Sequence, residues 1–391
     1  MRRIILGALT VLSGAAILTT AVAGQGSVDS PGVMTAGGEV PALGSFQVPK
    51  TPWGEPDLQG TWNANDLQGI PMQRASSVGE RYRLTDDEFQ QRVAQRDQNV
   101  ANDNSDEFSL ERAEEFEARF GTVGGAVSPP PHWLERSRNV SRVASYVIDP
   151  PDGRIPPLTT EAQSAGQARQ QERTERRREL NGVEADWTTD RSNYDRCIST
   201  GVLNSITPKI YNSGSRIVQG PGWVAFQNEM IHETRVIPTD GRPSPSPAIQ
   251  NWMGTSVGRW DGDVLVVETR NVKPESAVNG QPLSDEGVLI ERFTLADANT
   301  LDYRMTVDDP QVYAAPWTLR IPIPREEDYG LYEYACHEGN YSMPNLLSGS
   351  RAEDQRRAEA IARGEEIPDY TEPARGRGAG RGGRGGGRGS N

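Results

Sequence analysis

The chain has 391 residues, of which 24% are charged and 35% are hydrophobic, and its formal net charge is −13. An acidic surface repels nucleic acid and anionic lipid, so neither is predicted as a partner. The sequence contains no P-loop, which disfavours a nucleotide-dependent enzyme.

The first 23 residues have the pattern of a cleavable secretory signal peptide. Arginines at positions 2 and 3 precede an uncharged stretch, 4–23, which ends in the small-x-small motif Ala-Val-Ala. An uncleaved membrane anchor is the alternative, but the stretch is only mildly apolar. We therefore predict Sec-dependent export, cleavage near Ala23, and a periplasmic or secreted mature protein without an integral membrane span.

After the signal peptide we predict a flexible segment, 24–50, and then a region of helices and loops, 51–199, with a first strand near Leu58. A capping box between Thr85 and Glu88 marks the start of one helix. Helices are predicted over 84–98, 105–120 and 159–181, and a strand is predicted over 142–148.

From 200 to 348 the pattern changes to short strands separated by turn residues, which is typical of a mainly β domain. The clearest hairpin has Asp261 and Gly262 at its turn, a pair suited to type I′ geometry. Short links favour an antiparallel meander closing into a lipocalin-like barrel with the 51–199 region packed on it, and a two-sheet β-sandwich is the alternative. Strands are predicted over 217–227, 230–237, 256–261, 263–270, 288–296, 300–307, 316–323 and 330–336.

Beyond the β domain the sequence predicts a charged helix and linker, 349–374. The segment 375–391 alternates arginine and glycine and cannot bury a core, so we predict a disordered tail. In a cytoplasmic protein such a tail would indicate RNA binding. In an exported protein we interpret it as a flexible basic appendage.

The chain contains two cysteines, Cys197 and Cys336. In an oxidising compartment such a pair favours a disulfide, and two buried free thiols are the alternative. The expected disulfide disfavours Cys336 as a thiol nucleophile.

Four motifs resemble those of a large, uncharacterised family of exported bacterial proteins. They are PDLQGTW at 56–62, EMIHETR at 229–235, WDGDVLVVET at 260–269 and YEYACHEGNY at 332–341. The resemblance covers most of 50–350 and implies export, without implying a particular activity.

A weaker resemblance concerns the first strand. Gly60 and Trp62 are similar to the Gly-x-Trp opening of lipocalins and other calycins. This resemblance implies an antiparallel barrel around a pocket for a small molecule.

Histidine is scarce, since only His132, His232 and His337 occur. His232 is expected on a strand, and His337 just past a strand end, where ligand sites gather. We hypothesise that His232 and His337 converge and that one imidazole acts as a general base. The alternative is that both histidines are structural.

Charged side chains flank these histidines. Glu229 or Glu338 is expected to orient the imidazole, and Arg235 to hold a carboxylate or a developing oxyanion. A zinc site made from His232, His337 and a carboxylate is a minor alternative that no HxxxH or HExxH spacing supports, and no cofactor is predicted.

Aromatic and polar residues of the predicted barrel are candidates for ligand binding. Most aromatic side chains of a barrel fill its core, and one or two are expected at a pocket rim. The two mid-strand arginines among the candidates are either surface residues or, if they point inward, paired with an acidic group. The candidate residues are Trp223, Trp252, Arg292, Tyr303, Arg320, Tyr334 and Asn340.

The polar motifs favour, by a small margin, an exported enzyme that acts by acid/base chemistry on a small organic substrate in a β-barrel pocket. Its reaction would be that of a lyase, isomerase or hydrolase without a cofactor. A non-catalytic periplasmic carrier of an apolar or aromatic molecule is the first alternative. A structural envelope protein, which the predicted disordered ends favour, is the second.

Overall fold

Two antiparallel sheets form the centre of the protein. The structure is a computed structural model that describes residues 46–103, 134–179, 185–274, 276 and 283–365, together with the short paired strands β1 (Met34–Thr35) and β2 (Gly38–Glu39). The predicted signal peptide, the helix predicted over 105–120, His132 and the Arg/Gly tail lie outside these residues.

One sheet has four strands and the other has six. Across the four-stranded sheet the order is β3 (Gly60–Asn63), β5 (Gly214–Gly220), β6 (Trp223–Asn228) and β7 (Thr234–Pro238). Across the six-stranded sheet the order is β4 (Val147–Asp149), β12 (Trp317–Pro324), β11 (Thr300–Asp308), β10 (Val288–Asp297), β9 (Val264–Arg270) and β8 (Thr255–Asp261).

The prediction of a mainly β, antiparallel protein is confirmed. Within the described part of the chain, hydrogen bonding connects the strands into two sheets and not into one closed barrel, so a sandwich-like arrangement fits. From β8 to β12 each strand pairs with the next along the chain, which is the predicted meander.

Several local predictions were wrong. Of the strand predicted over 142–148 only 147–148 belongs to β4, and the strand predicted over 230–237 begins at Thr234. The strand predicted over 217–227 is the hairpin of β5 and β6, because Gly222 has a φ of +78° and turns the chain. No strand forms over 330–336, where the backbone is irregular. The β8–β9 hairpin has Gly262 and Asp263 as its loop, and only Gly262 has a positive φ, whereas a type I′ turn needs two such residues.

Strand alternation determines which side chains enter the core. On β10, Leu289, Glu291 and Phe293 are buried, whereas Arg292 between them is exposed. Arg292 is therefore a surface residue, which was one of the two alternatives for it.

Aromatic rings from both sheets fill the space between them. The ring centroids of Phe226 on β6 and Phe293 on β10 lie 5.7 Å apart, and those of Phe293 and Tyr303 lie 4.9 Å apart. Trp62 on β3 and Trp317 on β12 are fully buried in the same core. The tilted contacts and the large apolar area stabilise the packing of one sheet on the other.

A bidentate ion pair crosses this core. The two Nη atoms of Arg235 on β7 donate to the two carboxylate oxygens of Glu291 at 2.7 Å each. Tyr303 and Thr269 also donate to that carboxylate, both at 3.1 Å. Burial, followed by the nearby Glu291 carboxylate, raises the pKa of Tyr303, so its hydroxyl remains a hydrogen-bond donor.

A second buried ion pair lies on the other face of the six-stranded sheet. Arg320 on β12 donates to Asp302 on β11 through Nε at 2.8 Å and Nη2 at 3.0 Å. The backbone N–H of Arg320 donates to the carbonyl oxygen of Tyr146 at 2.9 Å, next to the pairing of β12 with β4. The expectation that a buried Arg320 requires an acidic partner is met within the chain.

Four helices lie around the sheets within the described residues. The capping box is present at the first: Thr85 N–H donates to Glu88 at 2.8 Å, and Glu88 N–H donates to the Thr85 hydroxyl at 3.3 Å. The helices are α1 (Asp86–Asp103), α2 (Thr160–Glu179), α3 (Val202–Ile206) and α4 (Ser342–Ala362).

Among the described residues no helix is both long enough and apolar enough to cross a membrane.

We predict that Glu291→Gln destabilises the protein by roughly 3–5 kcal/mol, because the substitution leaves the Arg235 charge buried without a counter-charge. Urea unfolding measures the loss. Glu268→Gln on the neighbouring strand is the matched control, since the Glu268–Arg270 pair is exposed and contributes at most about 1 kcal/mol. Equal effects of the two substitutions would contradict a special role for the buried pair.

Candidate functional site

A cleft of about 320 Å³ lies beside the sheets, between two loop segments, 68–72 and 207–210. This volume suits a small organic molecule. Its lining residues come from loops and not from strands, whereas the sequence predicted a pocket inside a barrel. They are Gln68, Gly69, Ile70, Met72, Arg136, Tyr146, Thr207, Pro208, Lys209 and Ile210.

Lys209 reaches the cleft because the helix before it is short. Gly201, with a φ of +81°, precedes α3, and Pro208 favours an extended conformation at Thr207, where α3 ends. Gly201 and Pro208 therefore fix the direction of the chain at the two ends of α3, and Lys209 directly follows Pro208. We call this site the Lys209 cleft.

The Lys209 ammonium group has carbonyl partners only. Its Nζ lies 3.3 Å from the carbonyl oxygen of Ser205 and 3.1 Å from that of Thr207, and it donates to both. Burial lowers the pKa of Lys209 to about 8, and the charge of Glu233 opposes this shift. A substantial fraction of Lys209 is therefore neutral near physiological pH, which is unusual for lysine.

Gln68 connects the two walls of the cleft. Its amide nitrogen donates to the carbonyl oxygens of Glu135 at 2.5 Å and Lys209 at 2.7 Å. The Glu135 N–H donates to the carbonyl oxygen of Ile210 at 2.7 Å. These bonds hold the backbone on both sides of the cleft, so the cleft is preformed.

A network of two carboxylates adjoins the cleft at Glu135, which we call the Glu229 network. Glu229 is only 1% exposed and accepts bonds from Asn212 Nδ2 at 2.9 Å, from the Tyr332 N–H at 3.2 Å and from the Tyr329 hydroxyl at 2.7 Å. Glu135 lies 3.2 Å from the same hydroxyl. Burial raises the pKa of Glu135, with an additional contribution from the Glu229 charge.

The disulfide between Cys197 and Cys336 is confirmed, with 5.8 Å between the two Cα atoms. Next to it, Asn340 donates to the Asp195 carbonyl oxygen at 3.0 Å and to Cys197 Sγ at 3.3 Å. Tyr334 joins a hydroxyl cluster, 3.3 Å from Tyr194. These contacts attach 334–341 to the segment before α3, so Asn340 and Tyr334 have anchoring contacts in this structure.

The two histidines of the sequence hypothesis are both exposed. His232 lies in a turn before β7 and not on a strand, because Ile231 and His232 both have a positive φ near 60°. His337 and Glu338 lie in an irregular segment after the disulfide. Within the described chain neither imidazole forms a side-chain hydrogen bond, and neither lines the Lys209 cleft.

The other predicted ligand-binding residues are spread over the molecule. Tyr303 is fully buried against Glu291, Trp223 is 38% exposed at the start of β6, and Trp252 stacks under Lys273, whose Nζ lies 4.4 Å from the ring centroid. Arg292 and Arg320 lie outside the intersheet core, the first exposed and the second paired with Asp302. The structure therefore does not assemble these residues into one pocket.

The structure also bears on a GxSxG pattern in the sequence and on metal binding. Residues 254–258 read GTSVG and match the GxSxG pattern, but Ser256 lies on β8 and bonds Thr269 at 2.8 Å instead of standing on a strand-to-helix turn. No group of three or more His, Cys, Asp or Glu residues is placed to hold a metal ion in the described part of the chain. The described residues therefore provide no set of ligands for the zinc site considered in the sequence analysis.

Sequence reasoning missed Lys209, Glu135 and Tyr329. A signal for Lys209 was present, because the chain has only three lysines among its 41 basic residues. No comparable signal marks Glu135 or Tyr329, which meet Glu229 only through the fold.

Comparisons with protein-family models, with curated proteins and with solved structures found no match to this chain. The site is therefore interpreted from its own geometry.

We predict that Cys197→Ala/Cys336→Ala lowers stability by roughly 2–5 kcal/mol, because the disulfide closes a loop with a sequence separation of 139 residues. Urea unfolding with and without reductant measures the loss. The double variant is the control and should not respond to reductant. A wild-type protein that is equally stable when reduced would contradict the prediction.

We also predict that Tyr329→Phe costs about 1–3 kcal/mol, since buried Glu229 loses its hydroxyl donor. Thermal or urea unfolding provides the measurement. Tyr332→Phe is the matched control, because that side chain is 77% exposed and only its backbone N–H contacts Glu229. An effect of Tyr332→Phe as large as that of Tyr329→Phe would argue against the Glu229 network.

Proposed function

We propose that this protein is an exported enzyme that performs acid/base chemistry on a small organic substrate in the Lys209 cleft. One observation carries the proposal: a lysine with a pKa lowered to about 8 lines a preformed cleft of suitable volume. Strongly shifted pKa values in clefts are characteristic of functional sites.

The lowered pKa suits Lys209 to the role of a general base. A base is most effective when its pKa lies near the working pH, because it is then partly deprotonated and still basic enough to accept a proton. Lysine acquires this property when burial reduces its hydration, and burial is the main cause of the lowered pKa of Lys209. The neutral amine would accept the proton and the ammonium would return it.

The remaining lining provides both binding and orientation. Arg136 supplies a positive charge, and Gln68 and Thr207 supply polar groups. Ile70 and Ile210 supply apolar surface. The lining is therefore mixed, and its polar groups would fix the orientation of a bound molecule.

Export and barrel closure are part of the proposal. The signal-peptide pattern and the disulfide both suit an oxidising compartment outside the cytoplasm. Barrel-like closure is supported at one junction by the bridge between Trp62 and Arg325. At the other junction β7 packs along β8, where Arg235 donates to Ser256 at 3.4 Å.

The test is a metabolite screen with the wild type, followed by kinetics of Lys209→Gln on any substrate found. We expect a loss of roughly 10²–10⁴-fold in kcat, because a general base contributes that much. Lys273→Gln is the matched control, since Lys273 lies against Trp252 away from the cleft. His232→Ala tests the histidine hypothesis in the same assay.

The pH profile gives an independent readout. As the pH rises through about 8, Lys209 loses its proton, so wild-type activity should rise with a midpoint near 8. The residual activity of Lys209→Gln should lack this midpoint. Full activity of Lys209→Gln would overturn the proposal, and binding without turnover would favour the carrier alternative.

A further inference from the structure

Two glutamates of the Glu229 network contact a single tyrosine hydroxyl. The Tyr329 hydroxyl lies 2.7 Å from Glu229 Oε2, and 3.2 and 3.3 Å from the two carboxylate oxygens of Glu135. A phenol has one hydrogen and donates it at full strength to one acceptor. The hydroxyl therefore lacks a hydrogen for one of its two contacts with carboxylate groups.

No cation balances the two carboxylates. Within the part of the chain that the structure describes, neither Glu135 nor Glu229 forms an ion pair with a basic side chain. Arg138 pairs with Glu326 at 2.8 Å, and Lys209 Nζ donates to two carbonyl oxygens. Like charges around one oxygen atom disfavour ionisation of both groups, so one carboxyl group keeps a proton. The basic side chains on the segments that meet here are Arg136, Arg138, Lys209, His232 and Arg325. The remaining acidic side chains on these segments are Glu233, Glu326, Glu327, Asp328 and Glu333.

The hydrogen bonds identify Glu229 as the ionised partner. Its Oε1 accepts from Asn212 Nδ2 and from the Tyr332 N–H, and its Oε2 has the 2.7 Å contact with Tyr329, a length typical of a hydroxyl bound to an ionised oxygen. Glu135 has the longer contacts with that hydroxyl. Burial raises the pKa of Glu135, the Asn212 N–H and the Tyr329 hydroxyl oppose this shift, and the Glu229 charge adds to it.

We propose that Glu135 carries a proton and donates it to the Tyr329 oxygen, so that Glu135, Tyr329 and Glu229 form a pH-dependent link. Tyr329 donates its own hydrogen to Glu229, and each contact then has one hydrogen. When rising pH removes the Glu135 proton, two negative groups face the same oxygen and the contact between Glu135 and Tyr329 is lost.

The link joins a wall of the Lys209 cleft to the segment after β12. The carbonyl oxygen of Glu135 accepts a bond from Gln68, and its N–H donates to the carbonyl oxygen of Ile210. Deprotonation of Glu135 therefore loosens the backbone at this wall. The inference goes beyond the proposed function and does not depend on the chemistry of Lys209.

The link changes stability in a defined direction. Because the fold raises the pKa of Glu135, the folded state keeps a proton that the unfolded state has released. The stabilisation is complete below the unfolded pKa of about 4.3 and is lost as the pH rises through the folded pKa. Glutamine at position 135 keeps an N–H donor and cannot ionise, so Glu135→Gln should preserve the link at both low and high pH.

The test compares urea unfolding of full-length wild type and Glu135→Gln at pH 5 and pH 8. We expect similar unfolding midpoints at pH 5 and a higher midpoint for Glu135→Gln at pH 8. Glu333→Gln is the matched control, because it removes the same charge from an exposed position on the segment that carries Tyr329. A midpoint of Glu135→Gln below that of wild type at pH 8, or a gain no larger than that of Glu333→Gln, would overturn the proposal.

Hydrogen exchange locates the change within the molecule. From pH 5 to pH 8, wild-type exchange over 134–138, corrected for its intrinsic pH dependence, should rise about threefold or more as this segment is released. In Glu135→Gln the corrected exchange should stay constant. Peptides from β10, in the core, are internal controls. Equal corrected exchange over 134–138 in the two proteins at pH 8 would show that no such link exists.

The role of the second carboxylate is tested by a double-mutant cycle. In Glu229→Gln the negative neighbour is absent, so the gain in midpoint from Glu135→Gln at pH 8 should be smaller than in the wild-type background. An undiminished gain would overturn the sharing of one proton between the two glutamates. The exchange measurement does not require this variant, and it decides the question if Glu229→Gln fails to fold.

Discussion

Arg235 and Glu291 are buried between the two sheets, where neither charge is stable without the other. Their bidentate contact joins β7 of one sheet to β10 of the other, and Tyr303 and Thr269 supply further donors to the carboxylate. Two apolar side chains could fill the same space in several relative positions. A buried ion pair is stable only when its two charged groups meet in one geometry. The contact therefore constrains how the sheets face each other, and the aromatic core packs around it.

The positions of the cleft and the Glu229 network depend on this arrangement. β5 and β6 are neighbouring strands of the four-stranded sheet, and Glu229 directly follows the end of β6. Asn212 comes from the loop before β5, and Tyr329 from the segment after β12. The disulfide adds a covalent link from the segment before α3 to the segment after β12. Polar groups distant in sequence thus meet at one end of a rigid β structure, next to the loop that carries Lys209.

The structure changes the chemical interpretation of the polar motifs. Arg235, expected to bind a substrate carboxylate, binds the carboxylate of Glu291. Glu229, expected to orient a histidine, accepts three hydrogen bonds that attach loops to the sheets. His232 and His337 are exposed and lie outside the cleft, whereas Lys209 is one of the titratable residues that line it. We therefore place the proposed acid/base chemistry on the amine of Lys209 and not on the histidines.

Local patterns in the sequence determined the strands of the meander and the capped helix at Thr85, because alternation and capping act between neighbouring residues. They also determined the disulfide, because two cysteines allow only one pair. They did not determine whether the strands close into a barrel, since sheet closure depends on twist and register accumulated over many strands.

The candidate site was decided by tertiary structure alone. The sequence around Lys209 does not show that its side chain becomes buried, because much of the cleft is formed by 68–72, Arg136 and Tyr146, which are distant in the chain. Likewise, Glu135, Glu229 and Tyr329 come from three separate parts of the chain and meet at the Tyr329 hydroxyl. Burial and its effect on a pKa are properties of all the groups around an atom, and only the folded chain brings those groups together.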